Sequence, residues 1–467
     1  MSTWTWTVFA VYLIATAALA VAGSRRSRGA SGFAIGSGNM SPWMAGLTLG
    51  ACLASSATFV ILPGFVYAEG LPALIGFSLP LSAGLAAGLW CLAPRFQALG
   101  SGAVTVPDWL GRRYASLGLR RLFAVLNVLQ LAYLVLIVVG CAYVMQHALG
   151  LGYHLCATFI VLFVFGYTAL GGAWAHAFTN SAQALVMLGV ATLIALAGLE
   201  LWTDGSAAAH LSDTGWTAPG SKLFSTSFEV WVLPVVIGFA LTTQPHLLTK
   251  ALYVRGRGAL AATIVLGMGS FLVFSLVLLA GLYARLDLGP GLPQDEVMAR
   301  WLAATFDSEA TTALVSVAIL AASMSTLDGL LVAIGASVTH DLFAGTASVR
   351  TNRLVLLCLA AMTLALAWSP PDLVLLFGQL GVYGLVAASA GPLLAGLYRK
   401  QPPPAVQAAA AAMLALSVHL GAALGGLTEN PGLAALAGVL VSLPVAFWPA
   451  ASEPTALKTH LSAPSPT

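Results

Sequence analysis

Thirteen apolar runs alternate with short polar joints along the 467 residues. They cover roughly 4–22, 43–66, 72–94, 121–148, 153–172, 178–201, 228–251, 260–285, 310–340, 352–369, 372–398, 405–425 and 431–450. A helix rises about 1.5 Å per residue, so runs of this length match a hydrocarbon layer of about 30 Å. The pattern predicts an all-α membrane protein with about 13 transmembrane helices. Its shortest joints are marked by Pro370-Pro371 and Asn430-Pro431. Composition supports lipid as the solvent: 7% of residues are charged, against about 25% in globular proteins.

The basic residues order the joints. With the N-terminus outside and the C-terminus inside, the joints 23–42, 95–120, 173–177, 252–259, 341–351, 399–404 and the tail face the cytoplasm. Sixteen of the 19 Lys and Arg then lie at or beside cytoplasmic ends, and only Lys222, Arg285 and Arg300 do not. That is the bias the positive-inside rule requires. It places the chain in a plasma membrane, of the bacterial inner-membrane kind, with Trp4, Trp6, Trp202 and Trp448 as interface anchors. Segment 95–120 reads as a short interfacial helix opened by Pro107 and closed by Arg112 and Arg113, and 286–309 as an acidic external loop. The 17-residue tail after 450 is too short for a kinase or binding module. A net charge of +3 gives no case for nucleic acid. Cys52, Cys91, Cys141, Cys156 and Cys358 sit in apolar runs without metal or disulfide spacing. The first apolar run lacks a basic segment before it, so no cleavable leader is read there. No acid–base pair or nucleophile constellation suggests an enzyme.

Two runs carry polar interruptions. The second holds Ser55-Ser56-Ala57-Thr58 and then Pro63-Gly64, and the seventh holds Thr242-Thr243-Gln244-Pro245-His246. Either alone is explained by a proline kink whose hydroxyls bond their own helix. The two stand five runs apart, however. A five-helix repeat is odd, so its second copy enters the membrane inverted, and paired broken helices in inverted halves mark a midplane binding site. The repeats are then 43–201 and 228–398, with the first helix and the two within 405–450 peripheral. In the ninth run, Ala322, Ser325 and Thr326 fall at i, i+3 and i+4 on one face. Two hydroxyls and a carbonyl there suit a dehydrated sodium ion, although small residues also serve close helix packing. Asp328 is the one carboxylate clearly inside a run. An acid so placed faces a cavity or a partner, and is a candidate for coupling.

At these residues the chain resembles the sodium:solute symporter family, which includes proline, pantothenate and sugar symporters. The resemblance rests on Ser41-Pro42-Trp43, Ser56-Ala57-Thr58-Phe59, Pro63-Gly64, Tyr67 and Gly70. It continues through Thr105-Val106-Pro107-Asp108-Trp109-Leu110, Arg113-Tyr114, Gly171-Gly172 and Thr179 with Gln183. It ends with Gln244-Pro245-His246, Lys250 where relatives usually have Arg, Ala321-Ala322 with Met324-Ser325-Thr326, and Asp341-Leu342. The resemblance implies a thirteen-helix, five-plus-five inverted-repeat fold like the leucine transporter's. It also implies symport of a small organic solute with a sodium ion, by one protomer. Carried over by position, the ion's ligands are Ala51, Ala54, Ala322, Ser325 and Thr326. Candidates for the solute are Ser55, Ser56, Thr58, Tyr133, Gln244, Gln379 and Tyr383. Leu53 stands where proline and several other members have an acid, and Asn180 where many members have one; the latter favours one sodium per solute. Ile237 and Leu241 stand where proline carriers have aromatics, which argues against proline and leaves a small carboxylate as the leaning. Lys250 reads as a cytoplasmic anchor and His246 as a packing residue. His147, His154, His176 and His210 read as joint residues. Proton coupling through Asp328, or a solute sensor of the same fold, are the alternatives.

Overall fold

The computed structural model describes residues 3–27, 32, 34–55, 57–100, 102–342, 349–370 and 374–449. Among these residues the chain is helical throughout, with no strand. We number the principal helices α1 (Thr3–Ser24), α2 (Pro42–Leu53), α3 (Leu62–Glu69), α4 (Leu79–Leu99), α5 (Leu131–Leu149), α6 (Tyr153–Ala197) and α7 (Leu233–Leu241). There follow α8 (Arg257–Phe274), α9 (Glu309–Ala336), α10 (Val349–Ala367), α11 (Val374–Tyr398), α12 (Ala405–Leu424) and α13 (Pro431–Phe447).

Each apolar run has its counterpart. The second run is α2 and the stretch Ala57–Glu69, bent by 52°, and the seventh is Phe228–Leu241 followed by Pro245–Leu252, bent by 65°. The fifth and sixth runs are joined in α6, whose 45 residues would extend about 68 Å as a straight rod. That is twice the hydrocarbon thickness. The helix divides at Gly172, where φ 55 and ψ −147 are open to glycine alone. Gly171-Gly172 is where the sequence places that joint. The expected interfacial helix is Val106–Arg113, capped by the Thr105 hydroxyl, which accepts from the Asp108 N–H at 3.0 Å.

Hydrogen bonds collect the joints at two opposite ends. At one, Gln97 donates to the carbonyls of Ala251 and Val254, Arg113 to those of Gly396 and Arg399, and Arg399 to that of Trp448. Arg255 donates there to Ser37, and Arg120 bonds Asp341. These are the joints that the basic residues mark. At the other end, Tyr67 donates to Gly289, Ser221 to Glu69 and Asn430 to Glu229, while Lys222 pairs with Glu429. The alternation expected from thirteen crossings is therefore present in the packing.

The broken spans lean on unbroken neighbours through glycine. A Cβ at Gly46 or Gly50 of α2 would meet α8 at Leu266 and Thr263, or at Ser270 and Gly267. A Cβ at Gly84 or Gly88 of α4 would meet α7 at Val235 and Phe239, or at Thr242. Small residues let helix backbones approach in lipid, where van der Waals packing carries the association. The spans 2, 3, 7 and 8 thus form one tightly joined group. α9 lies at the centre of the molecule, buried from Val315 to Ala336. α1 lies against α6 and α9 through Tyr12, whose hydroxyl accepts from Gln183 at 2.9 Å and donates to the Met324 sulfur at 3.6 Å.

Candidate functional site

The break in the second span begins where Ala54 leaves the helix with extended backbone, φ −101 and ψ 110. Carbonyls at the end of a helix lose their intrahelical partners, and here α9 meets them. The Ser325 hydroxyl lies 3.1 Å from the Ala51 carbonyl oxygen and 2.8 Å from that of Ala322. The Thr326 hydroxyl lies 3.3 Å from the carbonyls of both Ala51 and Ala54, and 3.4 Å from that of Ala322. All five residues are buried. Oxygens about 2.4 Å from one hard cation of calcium-like size stand about 3.4 Å apart at right angles. The five hydroxyl–carbonyl pairs, at 2.8–3.4 Å, come close to that spacing.

A cavity opens directly beyond the same break. Its volume is about 120 Å³. Cys52, Leu53, Ala57 and Thr58 form one wall. Tyr133, His246, Gln379 and Tyr383 supply polar groups, and leucine, valine and phenylalanine most of the remaining surface. No lining residue carries a formal charge unless His246 is protonated; its Nδ1 lies 2.8 Å from Gln130 Oε1. A smaller recess between Phe77, Gln379, Tyr383 and Asn430 shares several of these walls and leads toward the Glu229 end.

Of the solute residues expected from sequence, Thr58, Tyr133, Gln379 and Tyr383 line the cavity. Ser55 stands behind it, with its hydroxyl 3.0 Å from that of Tyr133. Ser56 lies outside the described residues. Gln244 is fully buried and does not line the cavity, and both polar atoms of its amide lack a partner among the described residues. Thr242 and Thr243 donate to the carbonyls of Phe239 and Ala240. They close the end of α7, as a proline-kinked helix requires.

Two side chains depart from their expected settings. Lys250 is 2% exposed and His176 1% exposed, so neither is a joint residue or a surface anchor. Lys250 Nζ lies 2.7 Å from His176 Nε2, and His176 Nδ1 lies 2.8 Å from Asp328 Oδ1. Tyr167 and Thr179 donate to the other Asp328 oxygen at 3.0 and 3.3 Å. Asp328 thus faces partners, not the cavity. The linear reading missed this cluster because it joins four spans and Lys250 sits close to a basic joint. Only the isolated acid in an apolar run signals it. Asn180 donates to the Ser325 carbonyl at 2.8 Å, placing the cluster beside the five oxygens.

A second network fixes the basic end. Asp341 accepts from Thr105 at 2.7 Å and from Arg120 at 2.9 Å, and Arg120 also reaches Asp108 at 3.4 Å. Asp108, Asp341 and His340 lie close enough to hold a metal. The guanidinium groups of Arg112 and Arg120 already satisfy these carboxylates.

Two broken helices in inverted halves, with an oxygen cluster and a cavity at one break, define a secondary transporter of the inverted-repeat kind. The sequence profile of the sodium:solute symporter family matches residues 33–414. The sodium/pantothenate symporter of Escherichia coli K12 is 28% identical over 391 residues, covering 78% of each chain. The sodium/proline symporter of Staphylococcus aureus is 24% identical over 404 residues, covering 79% of this chain and 76% of that one. In fold, a sodium-coupled sialic acid symporter in its substrate-bound outward-open state superposes with a TM-score of 0.77 at 18% identity, over 95% of this chain and 97% of the other. Mhp1, a nucleobase-cation-symport-1 family transporter in a closed conformation, gives 0.58 at 14% identity over 88% and 92%.

The chain belongs to the sodium:solute symporter family. It is a multi-pass membrane transporter that carries a small organic solute together with sodium, and it is not an enzyme.

Proposed function

We propose that the carbonyls of Ala51, Ala54 and Ala322 and the hydroxyls of Ser325 and Thr326 hold the transported sodium ion, and that the solute occupies the adjoining cavity. The observation that carries this reading is the convergence of five buried oxygens from two elements, α2 and α9, that belong to opposite halves of the chain. An ion there ties the break to α9. Cys52, Leu53, Ala57 and Thr58, which flank the same break, form a wall of the cavity. Ordering that wall raises the affinity for solute, and by linkage the solute raises the affinity for the ion by the same factor. Each sodium charge moved inward gains about 2.3 kcal/mol per 100 mV of membrane potential.

The cavity favours a small solute with an apolar body and one compact polar end, met by Thr58, Tyr133, Gln379 and Tyr383. Relatives carry proline and pantothenate, and a structural neighbour carries sialic acid. At the two positions where proline carriers have aromatics, aliphatic Leu241 lines this cavity and Ile237 its outer recess, which supports a small carboxylate other than proline. Asp328 is engaged by His176, Tyr167 and Thr179 and does not line the cavity, so proton coupling through it is not favoured. The protomer works alone, with its N-terminus outside and its C-terminus in the cytoplasm of a bacterial cell.

The test is binding of radiolabelled sodium to the purified chain. Saturable binding that Thr326→Ala abolishes is expected. Wild-type and variant binding alike would overturn the proposed cage.

A further inference from the structure

The five oxygens come from carbonyls and hydroxyls, so the cage carries no formal charge. The nearby carboxylate, Asp328, is already engaged. Lysine has only donors, so His176 Nε2 accepts from Lys250 Nζ at 2.7 Å. That places the imidazole proton on Nδ1, which donates to Asp328 Oδ1 at 2.8 Å. Tyr167 donates to the other Asp328 oxygen at 3.0 Å and the Thr179 hydroxyl lies 3.3 Å from it, so partners surround both carboxyl oxygens. A neutral histidine therefore bridges an ammonium and a carboxylate deep in the protein. Lys250 arrives on the second half of the broken seventh span, and its other contact is Tyr253, whose hydroxyl is 3.2 Å away. The bridge touches the cage through Asn180, which bonds the Ser325 carbonyl at 2.8 Å and the Cys52 sulfur at 3.6 Å. Cys52 in turn is 3.6 Å from His176 Nε2 and adjoins Ala51.

We propose that Lys250 is a tethered cation that competes with the transported sodium for the field of Asp328. Among the described residues this cluster has one carboxylate for two cations once sodium is in the cage, since the imidazole is neutral. Sodium binding therefore weakens the hold of Lys250 on His176 and Asp328. It frees the inner half of the seventh span, the segment that must move when the cage opens toward the basic end. Lys250 is a positioning residue and does not touch the ion. The inference rests on the proposed sodium cage.

Sodium-22 binding at constant ionic strength, on the purified full chain, tests it. Unit charges about 10 Å apart at an effective dielectric constant of about 20 change an affinity roughly tenfold. Lys250→Met is expected to tighten sodium binding by about that factor, Asp328→Asn to weaken it similarly, and the double variant to return it near wild type. Lys250→Arg, which keeps the charge, should bind like wild type. A merely structural lysine would give a loss on removal, never a gain. Unchanged or weaker binding by a monodisperse Lys250→Met variant overturns the proposal. If that variant does not fold, Asp328→Asn is compared with the double variant, and no recovery overturns it equally. Thr326→Ala run alongside separates the two readings. If it binds like wild type, the cage is wrong; if it alone loses binding and the lysine variants are unmoved, only the tethered cation is wrong.

Discussion

Asp341→Asn is expected to open the basic end of the transporter. The carboxylate is fully buried and ties the end of the ninth span to Thr105 before the interfacial helix and to Arg120 beyond it. Asparagine keeps the size and removes the charge. The ion-paired hydrogen bond to Arg120 is then lost, at about 1.5–3 kcal/mol for a bond to a charged partner. Arg120 retains Asp108 at 3.4 Å and the His340 carbonyl at 2.8 Å, which holds the loss near the middle of that range. About 2 kcal/mol shifts an equilibrium about thirtyfold, away from the state in which the network is closed. Cys52, 2% exposed in the cavity wall, is a native reporter. With Cys91, Cys141, Cys156 and Cys358 changed to alanine, an impermeant maleimide applied to inside-out vesicles should alkylate Cys52 about thirtyfold faster in the variant. A change of less than about threefold, with solute and sodium binding intact, would refute the reasoning.

Other expectations follow from packing and charge. Alanine at Gly84 would press its Cβ on the Val235 carbonyl; a cost of about 1–3 kcal/mol is expected for such overpacking, read as a lower melting temperature in detergent. Tyr133→Phe removes the hydroxyl of a cavity-lining side chain, which bonds Ser55, so solute affinity should fall about tenfold while sodium-22 binding changes by less than about twofold. Burial, and the neighbouring Glu296, raise the Asp295 carboxyl in the external loop to about 6. The folded loop then holds a proton that the unfolded chain has released, so stability declines as pH rises from about 4 to 6. Asp295→Asn should flatten that decline in a pH series of melting temperatures. A cysteine at exposed Glu309 should label in intact cells, and one at exposed Lys400 only after permeabilisation; the reverse pattern would invert the proposed topology.

The spans were legible because lipid demands about twenty apolar residues per crossing, and because proline and clustered hydroxyls mark a break. The ligand face of α9 was legible through the helical spacing of Ala322, Ser325 and Thr326. Spacing cannot show which carbonyls that face meets, and Ala51 and Ala54 came only with the family resemblance. Spacing alone does not separate Gln244 from Thr58, although only Thr58 is among the residues lining the cavity. Spacing failed most at His176 and Lys250. A joint histidine and a buried one have the same neighbours in sequence, and a lysine two residues from a basic loop satisfies the positive-inside rule wherever its side chain turns. Their burial is decided by spans five, six, seven and nine meeting around Asp328.

The glycine seams bear on ion discrimination. A broken helix by itself is a pliable joint, and carbonyls at such a joint would tolerate cations of several radii. Here α2 is splinted along Gly46 and Gly50 by α8, a helix that supplies none of the five oxygens. The distance between the Ala51 and Ala54 carbonyls is therefore held in part from outside the cage. Bulk added at Gly267, where a Cβ would press on Leu49, should alter the ranking of lithium, sodium and potassium while every ligand stays in place.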